Sequence, residues 1–311
     1  MRFMRFLAAT PHIPFLRFKG LCFALSAVLM IGSLGSLLTQ GLNFGIDFRG
    51  GILMEVRTPQ PANLSEMRTT LGQLGLGEVS LQEFGSDTDV LIRIQQQDGG
   101  EEGQQAAIEA VRGALGDTVD YRRVEFVGPK VGAELIQDGI LAVLIALGAI
   151  LIYIWFRFEW QFGIGGVLTL VHDVLITIGL FSVLQLEFNL STVAAILTIA
   201  GYSINDTVVV YDRIRENLRK FKKLDIAGLC DLSLNDTLSR TLLTSATTIL
   251  ALIALFAFGG PVVRDFSGAL IFGILIGTYS SIFIATPVLT YMNLRRDSDK
   301  AEDGGKATTA G

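Results

Sequence analysis

The chain has 311 residues, of which half are hydrophobic and 18% are charged, and its mean hydropathy is +0.50. This composition excludes an ordinary soluble enzyme, because so large an apolar surplus must face lipid. The formal net charge of −5 excludes a basic nucleic-acid-binding protein, so we expect no nucleic acid among the partners.

The apolar residues are concentrated in six runs that are long enough to cross a bilayer as helices. The predicted membrane helices are 21–39, 139–156, 162–184, 190–211, 242–258 and 266–292. A long polar interval separates the first helix from the other five. The pattern therefore predicts an α-helical polytopic membrane protein with a one-plus-five arrangement and a soluble insert.

Basic residues near the ends of these runs predict the orientation of the chain. Lys and Arg are concentrated before the first run, in the loop 212–241 and after the sixth run. We therefore predict that the N-terminal segment 1–20, the loop 212–241 and the tail 293–311 are cytoplasmic, and that the segment 40–138 lies in the periplasm. The tail is small and polar, and we expect it to be disordered.

The polar interval has the pattern of a small α+β domain. The predicted strands are 52–56, 79–84, 90–94 and 121–127, and the predicted helices are 63–74 and 104–115. Their order is that of a ferredoxin-like fold. Its acidic residues are spread along the segment rather than clustered, which indicates a solvated surface and no metal site.

Ionisable residues inside the apolar runs are the strongest functional signal. Asp173 lies midway along the third run, Asp206 lies within the fourth, and Arg240 lies at the start of the fifth. A charged side chain at the centre of a membrane helix costs about 2.5–3.5 kcal/mol on insertion scales, so such residues indicate function by default. Two structural alternatives stay open, since Asp206 and Arg240 could form a buried ion pair, or Arg240 could reach the membrane interface.

Polar neighbours favour a proton relay over a purely structural pair. Ser203 and Asn205 lie beside Asp206, and Thr241, Thr244, Ser245, Thr247 and Thr248 follow Arg240. A carboxylate that alternates between pairing with an arginine and taking a proton is a switch. Asp173 is an equal candidate for a relay residue or for a polar brace between helices. His172, on a different helical face, is expected to be a satisfied or interfacial histidine.

The sixth run carries small residues at every fourth position. They are Ala269, Gly273, Gly277, Ser281 and Ala285. Such a stripe permits close approach of a neighbouring helix, and we expect packing within the chain, although a partner subunit could use the same groove.

Motifs of covalent or nucleotide chemistry are absent from the sequence. It contains no GxxxxGK[ST] phosphate loop, no GxSxG elbow and no HExxH helix. The two cysteines, Cys22 and Cys230, predict neither a disulfide framework nor a zinc site. We therefore expect no enzymatic activity, no cofactor and no metal, with protons as the coupling ion.

Four segments resemble the motifs of the SecD/SecF family of the bacterial Sec protein-export machinery. They are GLNFGIDFRGG at 41–51, VGPKVG at 127–132, GYSINDTVVVYDRIRE at 201–216 and SRTLLTS at 239–245. The resemblance covers about residues 15–295, including the one-plus-five topology.

The resemblance implies half of an RND-superfamily bundle in the bacterial inner membrane, in an obligate heterodimer with SecD. It also implies the SecYEG channel, YajC and a translocating preprotein as partners, and use of the proton-motive force at a late step of export. The family's intramembrane acid falls on Asp206 and its basic partner on Arg240, and the periplasmic insert would move with the protonation cycle.

Two other functions compete with this interpretation. An RND-type exporter of small molecules or lipids also needs intramembrane acids, but it is expected to carry two six-helix halves in one chain. A passive assembly factor of the translocon would use Asp206 and Arg240 only as structural residues.

Overall fold

The structure is a computed structural model that describes residues 12–116, 118–292 and 294. The chain divides into two units. The soluble unit comprises Asn43–Ala142 and Glu187–Leu190, and the membrane unit comprises the chain up to Leu42, Val143–Leu186 and the chain from Ser191 on. The predicted disordered tail falls, apart from Leu294, outside the described residues.

The described elements follow one another along the chain as helices and short strands. The helices are α1 Lys19–Thr39, α2 Ile46–Arg49, α3 Leu64–Gly72, α4 Gly100–Leu115, α5 Pro129–Arg157, α6 Trp160–Leu184, α7 Leu190–Lys220, α8 Ile226–Phe258, α9 Pro261–Ser280 and α10 Thr286–Val288. A π-helix, Ser281–Ala285, joins α9 to α10, and 3-10 turns span Phe15–Phe18 and Leu289–Tyr291. The strands are β1 Asn43–Phe44, β2 Gly51–Arg57, β3 Val79–Phe84, β4 Ser86–Ile94, β5 Asp120–Val127 and β6 Glu187–Phe188.

The soluble unit contains a four-stranded antiparallel sheet in the order β3-β4-β2-β5. Alternate residues of the central strand β2, Ile52, Met54 and Val56, are fully buried and pack with Leu71 of α3 and Val111 of α4. This alternation places both helices on one face of the sheet. The strand order and the two helices confirm the predicted ferredoxin-like α+β insert.

The membrane unit confirms the predicted six spans. Within the described residues, six helices are long and apolar enough to cross a membrane. They are Phe15–Thr39, Glu134–Arg157, Trp160–Leu184, Leu190–Lys220, Ile226–Phe258 and Val263–Tyr291. The chain is therefore a multi-pass membrane protein of the predicted one-plus-five arrangement.

The helices extend well beyond the apolar runs that predicted them. α7 continues to Lys220 and α8 begins at Ile226, so most of the predicted loop 212–241 is helical. Likewise α5 begins at Pro129, ten residues before the predicted start at 139. Helical hydrogen bonds do not depend on hydropathy, and a proline is well placed at a helix start, so an apolar run marks the lipid-exposed part of a helix rather than its ends.

Small residues of the sixth span pack within the chain, as expected. A side chain at Gly273 would meet Ile199 of α7, and a Cβ at Gly277 would lie 3.1 Å from Ser203 Cβ. α7 therefore approaches α9 closely at these two glycines.

Candidate functional site

Buried polar side chains of the membrane unit meet where α6, α7, α8 and α9 pack together. Asp173 on α6 is fully buried, and Asp206 on α7 is 7% exposed. Both lie on helices whose remaining buried residues are largely apolar or small. Each carboxyl group is therefore shielded from solvent and depends on protein donors.

Asp173 is surrounded by three side chains. Ser203 of α7 donates a hydrogen bond to Asp173 Oδ2, and Ser280 of α9 donates to the same oxygen at 2.7 Å. Nδ1 of His172 lies 2.8 Å from the other oxygen, Oδ1. Asp173 thus connects three helices.

A chain of hydrogen bonds runs from Asp173 through His172 to α1. Nε2 of His172 lies 3.1 Å from Ser26 Oγ, and Ser26 Oγ lies 3.0 Å from the Tyr279 hydroxyl. Tyr279 in turn donates to the carbonyl oxygen of Cys22 at 2.8 Å. His172 is therefore a buried histidine with both ring nitrogens hydrogen-bonded, which agrees with the expectation of a satisfied histidine. Adjacent side chains meet here because the flexible carboxyl and imidazole groups turn toward each other.

Asp206 accepts hydrogen bonds from two hydroxyl groups. Thr241 of α8 donates to Oδ1 at 2.8 Å, and Ser281 of the π-helix donates to Oδ2 at 3.1 Å. Both donors are buried. A second hydroxyl pair links α8 to α9. Ser245 Oγ lies 2.7 Å from Thr278 Oγ1, and these residues are four and three positions away from Thr241 and Ser281 in the sequence.

Adjacent serines of the sixth span serve the two acids separately. Ser280 ends α9 and bonds Asp173, whereas Ser281 begins the π-helix and bonds Asp206. Each hydroxyl also lies 3.0 Å from a carbonyl oxygen of its own helix, Gly277 for Ser280 and Thr278 for Ser281. A hydroxyl has one hydrogen, so each serine can donate either to its acid or to its helix. π-Helical turns inside longer helices are frequent at functional sites.

Arg240 does not pair directly with Asp206. Its side chain is exposed in the single chain, and among the described residues its guanidinium makes no ion pair within 4 Å, although its charge acts on Asp206 electrostatically. It also does not lie at the start of its helix, since α8 begins at Ile226, about 21 Å away along the axis at 1.5 Å per residue. Thr244 and Thr247, also exposed, follow Arg240 along α8.

Of the other predicted site residues, one contacts a buried acid and one is exposed on the surface. Ser203 serves Asp173 rather than Asp206, and Asn205 is exposed. Sequence reasoning missed Ser280 as a partner of Asp173 and Ser281 as a partner of Asp206. The only signal for them was the polar run from Thr278 to Ser281 inside an apolar segment. No group of three or more His, Cys, Asp or Glu side chains within the described residues is arranged to hold a metal ion.

Comparisons with known proteins agree on one family. Residues 107–295 match the family described as protein export membrane protein SecD/SecF, C-terminal, and residues 35–62 match the SecD/SecF GG motif. The chain is 48% identical to the protein translocase subunit SecF of Rickettsia rickettsii (strain Sheila Smith) over 301 residues, 96% of this chain and 97% of that protein. It is 45% identical to the subunit of the same name from Vibrio alginolyticus over 293 residues, 94% of this chain and 93% of that protein.

A solved structure shares the fold. The crystal structure of SecDF, described as a translocon-associated membrane protein from Thermus thermophilus, matches with a TM-score of 0.81 and 36% sequence identity. The match covers 92% of this chain but 39% of that chain, so this chain corresponds to about two fifths of it.

Proposed function

Since the chain belongs to the SecD/SecF family of protein export membrane proteins, we propose that it is a Sec translocase subunit that acts with SecD. In this proposal the pair uses the proton-motive force at a late step of preprotein export, beside the SecYEG channel and YajC. The chain itself carries out no covalent chemistry and binds no cofactor, and protons are the coupling ion.

The observation that carries the proposal is the pairing of two buried acids with consecutive serines. A charged carboxylate in the membrane is stabilised by the donors that reach it, and each of these acids is held by hydroxyls from two neighbouring helices. Protonation of Asp206 removes its charge and weakens its bond with Ser281. The Ser281 hydroxyl can then donate to Thr278 O, 3.0 Å away, so that proton uptake breaks the bond between the π-helix and α7.

In the same proposal, the change of hydrogen-bond acceptor by the serine hydroxyls couples Asp206 to Asp173. Ser280 and Ser281 share one peptide bond, so a rotation of the π-helix that moves one hydroxyl also moves the other. Asp173 and Ser203 act here as secondary relay residues, and Asn205 has an exposed position from which it contacts the partner half. A proton crossing the membrane potential supplies about 2.3 kcal/mol per 100 mV, which is enough to drive a rearrangement of a few hydrogen bonds.

Exposed polar groups on α8 favour a partner protein that covers this helix within the membrane. Arg240 lies two residues before the apolar run 242–258, and together with Thr244 and Thr247 it forms an exposed polar strip on α8. We propose that SecD covers this side of α8 with acidic or polar groups and brings Arg240 into the proton pathway. The chain corresponds to two fifths of a longer SecDF chain, which supports a partner that corresponds to other parts of that chain.

Topology follows the positive-inside rule in this proposal. The α7–α8 junction carries Arg219, Lys220, Lys222 and Lys223, all exposed, and faces the cytoplasm. Both termini are then cytoplasmic, the soluble unit is periplasmic, and the chain resides in the bacterial inner membrane.

Export into inverted membrane vesicles tests the function. Vesicles carry SecD with the wild-type chain, Asp206→Asn, Arg240→Met or the control Glu216→Gln, which neutralises an exposed carboxylate on the same helix. We expect Asp206→Asn and Arg240→Met to lose the part of export that depends on the proton gradient, while co-purification of SecD stays normal. Unchanged export with Asp206→Asn would instead show a passive assembly factor in which the acids are structural braces.

A further inference from the structure

The segment between α6 and α7 belongs to the soluble unit. Residues 187–190 follow one membrane span and begin the next, but their contacts place them with the insert. β6 pairs in parallel with β1, with Asn43 opposite Glu187 and Phe44 opposite Phe188. The ladder continues where the Gly45 N–H donates to the Phe188 carbonyl oxygen at 2.9 Å.

Charged groups reinforce this pairing on both sides of the ladder. Arg93 of β4 forms an ion pair with Glu187, and their side chains are only 20% and 17% exposed. Asp47 Oδ2 accepts the N–H of Leu190, the first residue of α7, at 2.9 Å. Both bonds are charge-assisted and are therefore about twice as strong as neutral ones.

Close packing completes the contact. The rings of Phe44, Phe48 and Phe188 lie 5.8–6.0 Å apart between centroids. A Cβ at Gly45 would lie 2.5 Å from Glu187 Oε1 and 3.3 Å from Asn189 Cβ, so a side chain there would displace the Glu187 carboxylate. Gly45 and Asp47 belong to the GLNFGIDFRGG motif, whose residues thus have a defined partner.

We infer that residues 43–49 and 187–190 stay bound to each other throughout the working cycle. We call this pair of segments the clamp, and we infer that it transmits movement of the acid-bearing helices α6 and α7 to the insert. The inference rests on the proposed proton-driven function. Asp173 lies eleven residues before the end of α6 and Asp206 sixteen residues after the start of α7, which correspond to about 16 Å and 24 Å of helix. The clamp therefore holds the joint between the two helices that carry the acids, and it fixes that joint to the sheet strand β4 through Arg93.

A closed clamp transmits force better than a free loop. A flexible five-residue connection would absorb a displacement of either helix through its own backbone rotations. Parallel pairing, two charge-assisted bonds and an aromatic cluster instead make residues 187–190 move with the sheet. Helix movement at the acids then becomes movement of the insert.

Disulfide crosslinking and charge reversal in the full chain with SecD test the clamp. Phe44→Cys with Phe188→Cys, in a chain with Cys22→Ala and Cys230→Ala, is oxidised in inverted vesicles. We expect the disulfide to form and gradient-dependent export to persist, because a closed clamp is already the working state. Failure to form the disulfide, or loss of export that reduction restores, overturns the inference.

Charge reversal tests whether the clamp is needed to couple the proton gradient to export. In the same cysteine background, we expect Arg93→Glu or Glu187→Arg to slow disulfide formation about tenfold, the effect of losing a charge-assisted hydrogen bond, and to lower gradient-dependent export. The double reversal is expected to restore both, and Arg122→Glu, on an exposed pair of the same sheet, is the control. If both single reversals keep the gradient-dependent export of the wild type, the inference is overturned.

Failure of the proposed function is distinguished by Asp206→Asn measured alongside. If that variant keeps gradient-dependent export, the proton relay is refuted, and the inferred coupling is refuted with it. Disulfide formation does not depend on transport, so in that event it still reports whether the contact exists. If Asp206→Asn loses gradient-dependent export and the charge reversals do not, the clamp alone is refuted.

Discussion

Ser280 and Ser281 are consecutive residues, yet their hydroxyls bond two different buried acids. Ser280 donates to Asp173 Oδ2 at 2.7 Å, and Ser281 donates to Asp206 Oδ2 at 3.1 Å. In an α-helix, consecutive side chains point about 100° apart, which lets one helix serve two neighbours at one level. The change from α9 to the π-helix falls between these two residues.

Removal of the Ser281 hydroxyl is expected to weaken the contact of the π-helix with Asp206. Ser281→Ala leaves Asp206 with Thr241 as its remaining hydroxyl donor among the hydrogen bonds described. Loss of a buried bond to a charged group costs about 1–3 kcal/mol, and less in membranes where other partners are found. We expect reduced gradient-dependent export in vesicles and a lower thermal stability of the purified complex.

Two variants control for the serine experiment. Ser281→Thr keeps the hydroxyl and is expected to retain export. Ser267→Ala removes a buried serine of α9 that bonds the carbonyl of Val263, within its own helix, and should leave export unchanged. Equal export by Ser281→Ala and wild type would contradict the role of this hydroxyl.

Asp173→Asn distinguishes a relay residue from a brace. The amide presents one oxygen and one NH2 group to donors that now converge on two oxygens, so at least one hydroxyl or the imidazole must rearrange. A relay predicts loss of gradient-dependent export at normal complex yield. A brace predicts a lower melting temperature with the gradient dependence retained, and both quantities are measured on the same preparation.

Gly273→Ala is expected to separate α9 from α7. The added methyl group would overlap the Ile199 side chain, and overpacking of a tight contact costs about 1–3 kcal/mol. Gly32→Ala on α1 is the matched control, since nothing lies within 4 Å of its added Cβ. Thermal unfolding of the two variants in one detergent provides the comparison, and equal melting temperatures would contradict the close contact.

Acid is expected to weaken the soluble unit through Asp89. Hydrogen bonding from Arg57, at 2.5 Å and 2.6 Å, lowers the pKa of the Asp89 carboxyl below its ordinary value of 3.8. A carboxyl with a lowered folded-state pKa contributes stability above its unfolded pKa and loses it as the pH falls through the folded one. The contribution is therefore fully present at pH 5, declines as the pH falls below 3.8, and is lost once the pH is below the folded-state pKa.

Pepsin cleavage of the full chain measures this acid dependence. The cleavage rate of wild type is compared with that of Arg57→Met at each pH from 4.5 to 2, so that the pH dependence of the protease itself cancels. We expect wild type to be more resistant near pH 4.5 and the two rates to converge toward pH 2. A constant ratio across this range would show that the pair does not contribute to stability.

Sequence alone determined the membrane helices, the insert and the acids. Long apolar runs must be helices in lipid, alternation and turn residues specify a ferredoxin-like sheet, and the cost of a charge in lipid singles out Asp173 and Asp206. These are local properties of composition and period, so a single sequence contains them.

Tertiary structure alone decided the partners of those residues. Hydropathy gave no reason to join Ser281 to Asp206 across 75 positions, or Arg93 to Glu187 across 94. Helix rotation and depth fix which hydroxyl reaches which acid, and these depend on packing against several neighbours at once. One sequence hypothesis paired Arg240 with Asp206 and another placed it at the membrane interface, but its exposed position follows from the rotation of α8, which no run of apolar residues specifies.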